Sequence, residues 1–270
     1  MNVHVEHRGA IAVVTVSDPA HRNALTLDLS DRLAQAVADC DRDESVHAIV
    51  ITGTPPAFCA GGDLTALAAA GESGSASDLH RIYEGFLSVA KASLPTIAAV
   101  NGPAVGAGLN LALACDLRLV GPGASFDARF LQLGIHPGGG MTWLAQRAVG
   151  PQITAAMTLF GEPLDAQEAV RTGLAYRLVD PRRDPRPDLG PDGEPGGDDD
   201  PRSAAVHEAV VAAAVQLARR AAAAPRNLLI ATKAALRATA SMPAHTDAVT
   251  YETPPQLASL SSLQSGCRLQ

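Results

Sequence analysis

Through the first 180 residues, short apolar runs alternate with longer stretches whose apolar residues recur at helical spacing, and small-residue turns separate the two. That alternation restricts the chain to an α/β layered domain. Val3-His4-Val5 and the run Ile11 to Val16, separated by Arg8-Gly9, predict an opening β-hairpin. Leu27 to Cys40 predicts a helix with Leu29, Leu33, Val37 and Cys40 on one face. Val46 to Thr52, Thr96 to Val100, Asp116 to Val120 and Leu174 to Val179 predict further strands. Helices are predicted at Leu64 to Ala70, Gly108 to Ala114, Gly140 to Val149, Pro151 to Leu159 and Asp165 to Thr172. Gly71 to Ser77 reads as a mobile Gly/Ser-rich stretch, after which Asp78 caps a helix running to Lys91.

Composition sets the outer limits. A chain of 270 residues with 47% hydrophobic side chains has enough apolar surface for one large domain, with or without a helical appendage. Its 28 acidic and 21 basic side chains leave a net charge of −7, and there is no basic stripe, so nucleic acid is not an expected partner. An anionic small ligand is still allowed, because a few local Arg and backbone amides suffice to hold phosphates. Cys40, Cys59, Cys115 and Cys267 are too scattered for a disulfide framework and show no metal-ligand spacing. No apolar stretch approaches the roughly 20 residues of a membrane span, and the N-terminus lacks an apolar signal core. The expectation is a soluble, cytoplasmic protein.

Residues Pro181 to Arg202 break the pattern. Six Pro, four Gly, six Asp, one Glu and four Arg surround a single aliphatic residue, Leu189, which reads as a solvated loop or linker. Beyond it, Ser203 to Ala223, Pro225 to Ala240 and Ala244 to Leu263 predict helices whose apolar faces need the main domain or another subunit as partner. The chain thus divides into a core (1–180), an acidic linker (181–202) and a helical region (203–270).

Three small-residue junctions each lead from irregular backbone into a helix: Ala60-Gly61-Gly62-Asp63, Gly102-Pro103-Ala104-Val105-Gly106-Ala107-Gly108 and His136-Pro137-Gly138-Gly139-Gly140. Free N–H groups at a helix start point outward with the positive end of the dipole. Two such junctions facing each other can hold an oxyanion, the charge that develops when a thioester carbonyl becomes an enolate. The GxGxxG spacing of a dinucleotide fold and the GK[ST] of a P-loop are both missing.

The run Phe58-Cys59-Ala60-Gly61-Gly62-Asp63-Leu64, then Pro95 through Val100 into Asn101 to Gly108, then Ala114-Cys115-Asp116, resembles the enoyl-CoA hydratase/isomerase (crotonase) family. Arg22-Asn23-Ala24-Leu25, Leu133 to Gly140 and Leu164 to Ala169 continue the likeness in the same order. The resemblance implies a crotonase (ClpP-like) spiral of ββα units with a C-terminal helical trimerisation region, and so a homotrimer or a dimer of trimers (a homohexamer). It also implies an acyl- or enoyl-CoA thioester ligand, with coenzyme A as part of the substrate and no permanently bound cofactor or metal. By position, the backbone N–H groups of Gly62 and Ala107 match the oxyanion hole. The carbonyl of Ala60 matches the contact to the adenine amino group, and backbone near Arg22 and Ala24 matches further CoA contacts. Asp63, Leu64 and Gly138 complete the implied substrate-binding set.

The departures matter as much. The two glutamates that hydratases of the family use on water fall on Asn110 and Phe130. Asn has no titratable group near neutral pH and Phe can neither orient nor deprotonate water. His136 is the speculative surrogate, against a reading as a loop His bonded to nearby backbone. Asp127 with Arg129 reads as a salt-bridged or solvated pair, Asp63 and Asp116 as caps, Cys59 and Cys115 as packing residues, and Trp143 as core. The tail, ending Ser265 to Gln270, stops short of the family's Phe- and Lys-containing terminal segment. Two readings stay open: an enzyme of the family with replaced acid/base residues, and a non-catalytic acyl-CoA carrier or regulator.

Overall fold

The computed structural model describes residues 1–181 and 201–266, with side chains described outside 201–202 and 261–266. The expected linker lies almost entirely outside the described residues. The hairpin forms as expected: β1 (Asn2–His7) pairs antiparallel with β2 (Ile11–Ser17). Parallel strands then extend the sheet through β3 (Ala48–Gly53), β4 (Thr96–Val100), β6 (Leu117–Val120) and β9 (Arg177–Leu178), in the order β1-β2-β3-β4-β6-β9. Two-residue periodicity sorts the side chains of these strands onto two faces. Val14, Val16, Ile49, Ile51, Ala98 and Val100 face one apolar cluster, and Ile11, Val13, Ala48, Val50, Ile97 and Ala99 face another.

The first face is covered by α1 (Leu27–Arg42), which buries Leu29, Leu33, Val37 and Cys40 as its spacing predicts. It is joined by α3 (Ala76–Lys91), burying Ile82, Phe86 and Val89. The second face is covered by α7 (Pro201–Ala222) through Val210, Val211, Ala214 and Val215. Burying a Val or Leu side chain contributes about 1.5–3 kcal/mol each, so two covered faces account for much of the sheet's cohesion.

A second, three-stranded sheet has the order β5-β7-β8: β5 (Ala104–Val105), β7 (Ser125–Asp127) and β8 (Leu164–Asp165). These strands are too short for any periodicity to reveal. The remaining helices of the core are α2 (Leu64–Ser73), α4 (Ala107–Ala114), α5 (Met141–Leu159) and α6 (Ala166–Thr172). Within α5, Gly150 at φ 76° and ψ 172° interrupts the helix, so the two separately expected helices are both present. Last come α8 (Arg226–Thr239) and α9 (His245–Gly266).

Five expectations need correction. The Gly/Ser-rich stretch after residue 70 is helical to Ser73, and Ser75, not Asp78, caps α3, accepting from the Asp78 N–H. The last strand shrinks to Arg177–Leu178 because Leu174 and Ala175 turn into the core instead. Trp143 is 57% exposed, its ring covered by the Arg147 guanidinium 3.6 Å from the centroid. Asp116 accepts from the Thr96 N–H at 2.7 Å and from buried Lys233 Nζ at 2.7 Å, so it docks α8 rather than merely capping a strand. No helix of the described residues is long and apolar enough to cross a membrane.

Candidate active site

Three segments run side by side to build the site. The Ala60 N–H donates to the Arg22 carbonyl at 2.9 Å, the Leu25 N–H to Gly61 at 2.7 Å, and the Asp63 N–H to Leu25 at 3.0 Å. The Cys59 N–H donates to Pro103 at 3.1 Å, and the Val105 N–H to Cys59 at 3.0 Å. Residues 22–25, 59–63 and 103–107 are thereby laced together by main chain alone. A side chain that the sequence reading passed over holds the first of them. Buried Asn23 donates to the carbonyls of Thr54 and Ala57 at 2.7 and 2.8 Å and accepts from the Asp18 N–H at 2.8 Å.

The approach is close enough to dictate sequence. A Cβ on Gly108 would lie 2.0 Å from the Cys59 carbonyl oxygen, so no other residue fits there. Asp63 caps α2, its side chain accepting from the Ala66 N–H at 2.8 Å, so the reading of this residue as a cap holds. Ala107 opens α4, and its N–H therefore has no acceptor within that helix. The far end of α4 is held by half-buried Arg118, which donates to the Cys115 carbonyl at 2.8 Å and to the carbonyl of Leu174.

Gly62 and Ala107 both line a cavity of about 590 Å³ whose walls are mostly apolar. Ala60, Leu64, Asn110, Phe130, His136 and Gly138 line it as well, so eight of the eleven residues singled out in sequence meet around one space. Arg22, Ala24 and Asp63 are not in its lining; they sit on the adjoining edge through the main-chain bonds above. Leu67, Leu79, Ile82 and Tyr83 were missed, although their spacing along α2 and α3 marks an apolar stripe that needs a partner. A second cavity of about 690 Å³ lies between β9 and α7, away from these junctions.

The polar groups are few. Asn110 is 1% exposed, and its Nδ2 donates to the Gly138 carbonyl at 3.0 Å. That carbonyl fixes which way the amide faces, and Asn110 Oδ1 is left buried without a partner. An acceptor in that state costs about 1–3 kcal/mol. His136 Nδ1 lies 2.7 Å from the Pro137 carbonyl oxygen, as the loop-His reading expected. A carbonyl only accepts, so in the neutral ring Nδ1 carries the proton and Nε2 the lone pair. Phe130 is packed partly against the core, its ring tip 4.0 Å from where a Cβ on Gly106 would stand. Asp127 pairs with Arg129, Oδ2 accepting from Nε at 2.8 Å, a salt bridge at the rim. Cys59 and Cys115 are fully buried, and burial pushes both thiols up to about 12, so neither is a nucleophile. No Asp or Glu lines the cavity among the described residues, and no group of His, Cys, Asp and Glu there could hold a metal.

A strand-built scaffold that brings two main-chain-bonded, glycine-rich junctions onto one mostly apolar cavity defines a class of α/β proteins with a preformed ligand pocket. Residues 6–184 match the family model described as enoyl-CoA hydratase/isomerase, and the chain belongs to that family. It is 47% identical over 264 residues to the Mycobacterium tuberculosis protein named probable enoyl-CoA hydratase EchA14, covering 96% of this chain and 92% of that one. A Rhodobacter capsulatus protein named probable enoyl-CoA hydratase is 39% identical over 178 residues, or 66% of this chain and 68% of that one. A Thermobifida fusca structure solved in complex with CoA superposes with a TM-score of 0.78 at 26% identity, covering 98% of this chain and 95% of that one. The fold is the crotonase fold, as expected.

Proposed function

We propose that this protein binds acyl- or enoyl-CoA thioesters, with the thioester oxygen held between the N–H groups of Gly62 and Ala107. The observation that carries this reading is the convergence of the two main-chain junctions on one apolar cavity. In this reading the acyl chain lies along Leu67, Leu79 and Ile82. The Ala60 carbonyl, the backbone at Arg22 and Ala24, and Asp63, Leu64 and Gly138 contact the coenzyme A part. The amide pair stabilises the negative charge an enolate places on the thioester oxygen. Asn110 and Phe130 stand where a hydratase of the family carries its two glutamates. His136 Nε2 is then the available proton acceptor, on the same cavity wall as Gly138.

The lining holds no carboxylate among the described residues, which favours a second reading, a non-catalytic acyl-CoA carrier or regulator. Titration with short- to long-chain enoyl-CoA thioesters, together with loss of the conjugated thioester absorbance, separates the two. Saturable turnover establishes an enzyme, saturable binding without turnover establishes a carrier, and no saturable binding defeats both. In the enzyme, His136→Ala lowers turnover at least tenfold while thioester affinity changes little; equal loss in both removes His136 from the chemistry.

The same reading extends to assembly and location. We extend it to a homotrimer or homohexamer in the cytoplasm: the exposed apolar side chains of Leu236 (68%) and Leu257 (61%) on α8 and α9 support a subunit contact that would cover them, and the bacterial relatives are consistent with the location.

A further inference from the structure

We propose that β1 is an interaction surface for a second copy of this chain, the two edge strands pairing antiparallel about Val5 so that His4 of each copy meets Glu6 of the other. The pairing joins two six-stranded sheets into one, and it stands apart from the thioester reading of the cavity.

β1 is a terminal strand of its sheet and pairs on one side only, with β2. The hydrogen bond from the Arg8 N–H to the Ile11 carbonyl at 2.8 Å fixes which of its peptide groups that pairing uses. In an antiparallel ladder bonded and non-bonded pairs alternate, so Glu6, His4 and Asn2 turn their N–H and C=O groups toward β2. Val3, Val5 and His7 turn theirs outward. The Val3 N–H agrees, since it donates to Asn2 Oδ1 at 2.9 Å and not to β2. Open edges are ordinarily blunted by proline, lysine, a bulge or a covering element. Residues 1–8 hold no proline or lysine, and the register with β2 runs unbroken from Asn2 to His7. Every residue of β1 except Val3 is exposed, and Val5, 40% exposed, lies in a groove of about 420 Å³ between β1 and α1.

The outward groups allow only registers that bond Val3, Val5 and His7 among themselves. Side chains choose between those registers. Val3, Val5 and His7 line the groove against α1, so Asn2, His4, Glu6 and Arg8 share the opposite face. Bonding Val3 to Val5 would set His4 against His4, and bonding Val5 to His7 would set Glu6 against Glu6. Like groups directly opposite are unfavourable. Centring on Val5 instead sets His4 against Glu6 and Asn2 against Arg8, each twice by symmetry. These are non-bonded pairs, whose Cα atoms approach to about 4.5 Å, so an imidazole N–H reaches the carboxylate. Arg8 already holds that carboxylate on this face, Nε and Nη2 donating at 2.8 and 3.1 Å. The same register forms about six main-chain hydrogen bonds, two at Val5 and two at each Val3–His7 pair, with the Val3 N–H exchanging Asn2 Oδ1 for a carbonyl.

The test mixes two variants of the full chain, His4→Cys and Glu6→Cys, each also carrying Cys267→Ser, and follows disulfide cross-linking after addition of diamide. Cys40, Cys59 and Cys115 are buried and stay out of the reaction. A disulfide joining the two variants should form about tenfold faster in the mixture than a cross-link in either variant alone, because the non-bonded separation suits the bridge. Adding Val5→Pro to both removes an outward N–H and no bond to β2, and should slow the reaction about tenfold. Faster cross-linking of either variant with itself overturns the proposal, as does no cross-link, or a rate that Val5→Pro leaves unchanged. Sedimentation of chains with their natural cysteines is the second measurement. Glu6→His should weaken self-association about tenfold, and His4→Glu added to it should restore the wild-type value to within about twofold. A double variant that associates no better than Glu6→His overturns the proposal as well.

Discussion

Asn110 Nδ2 lies 3.0 Å from the carbonyl oxygen of Gly138, a bond that ties the helix starting at Ala107 to the third glycine-rich junction. Because the acceptor is a carbonyl, the bond survives only while residue 110 supplies a proton. Asn110→Asp replaces the donor with an oxygen, and the new carboxyl is buried, which raises its pKa. The sign follows directly. With the folded pKa above the unfolded value, the variant gains on the wild type as pH falls and the acid protonates, and loses as pH rises. Urea midpoints at pH 5 and pH 8 check this. We expect a deficit of about 2–3 kcal/mol at pH 8 that shrinks at pH 5.

Proline at the first residue of a helix is conformationally acceptable and has no N–H. Ala107 occupies that position in α4, so Ala107→Pro deletes one of the two proposed oxyanion donors with little change in helix stability. Thermal unfolding should shift by only a few degrees. Enoyl-CoA turnover, if the protein is an enzyme, should fall by about 10²–10³. Unchanged turnover in a folded variant would remove Ala107 from the site.

Lys233 is buried to 5% exposure, with Nζ 2.6 Å from the Leu94 carbonyl oxygen and 2.7 Å from Asp116. Burial draws its pKa down while Asp116 opposes the fall. Lys233→Met leaves the Leu94 carbonyl and the Asp116 carboxylate short of a donor and should cost about 2–4 kcal/mol. Proteolysis should then cut first within α8 and α9. A double-mutant cycle with Asp116→Asn reads the coupling between the pair.

Three thiols make the fold sensitive to alkali. Burial pushes Cys40 up to about 11 and Cys59 and Cys115 to about 12. In the unfolded chain these groups ionise nearer the ordinary thiol range. Between that range and the folded values the native state holds more protons, so stability falls as pH rises past about 9. Each thiol contributes up to about 1.4 kcal/mol per pH unit, and Cys59→Ala should flatten the decline measured by urea unfolding between pH 8 and pH 10.

The layered fold was legible because its strands are long enough to show alternation: Ile11–Ser17 and Thr96–Val100 bury side chains toward both clusters. The two-residue strands at Ala104 and Leu164 were not, since a pair of residues has no period. Eight of the singled-out residues meet at the cavity because glycine-rich motifs advertise backbone geometry directly. Asn23 and Lys233 stayed hidden for a different reason. Each acts through a partner at least 30 positions away, on Thr54 and Ala57, and on Leu94 and Asp116. Trp143 misled because size and apolarity alone suggest burial, whereas its ring stays exposed with the Arg147 guanidinium, one helical turn on, stacked over one face.

The lacing of residues 22–25, 59–63 and 103–107 uses almost nothing but peptide groups. Point mutations exchange side chains and leave peptide groups in place, so a holder made this way is robust to sequence drift wherever bulk is not decisive, as it is at Gly108. On the proposed reading, the positions that decide what happens to a held molecule, 110, 130 and 136, act through side chains, which are what mutation exchanges. Capture and chemistry are therefore separable heritable traits in this architecture, and a lineage can replace the second many times without having to reinvent the first.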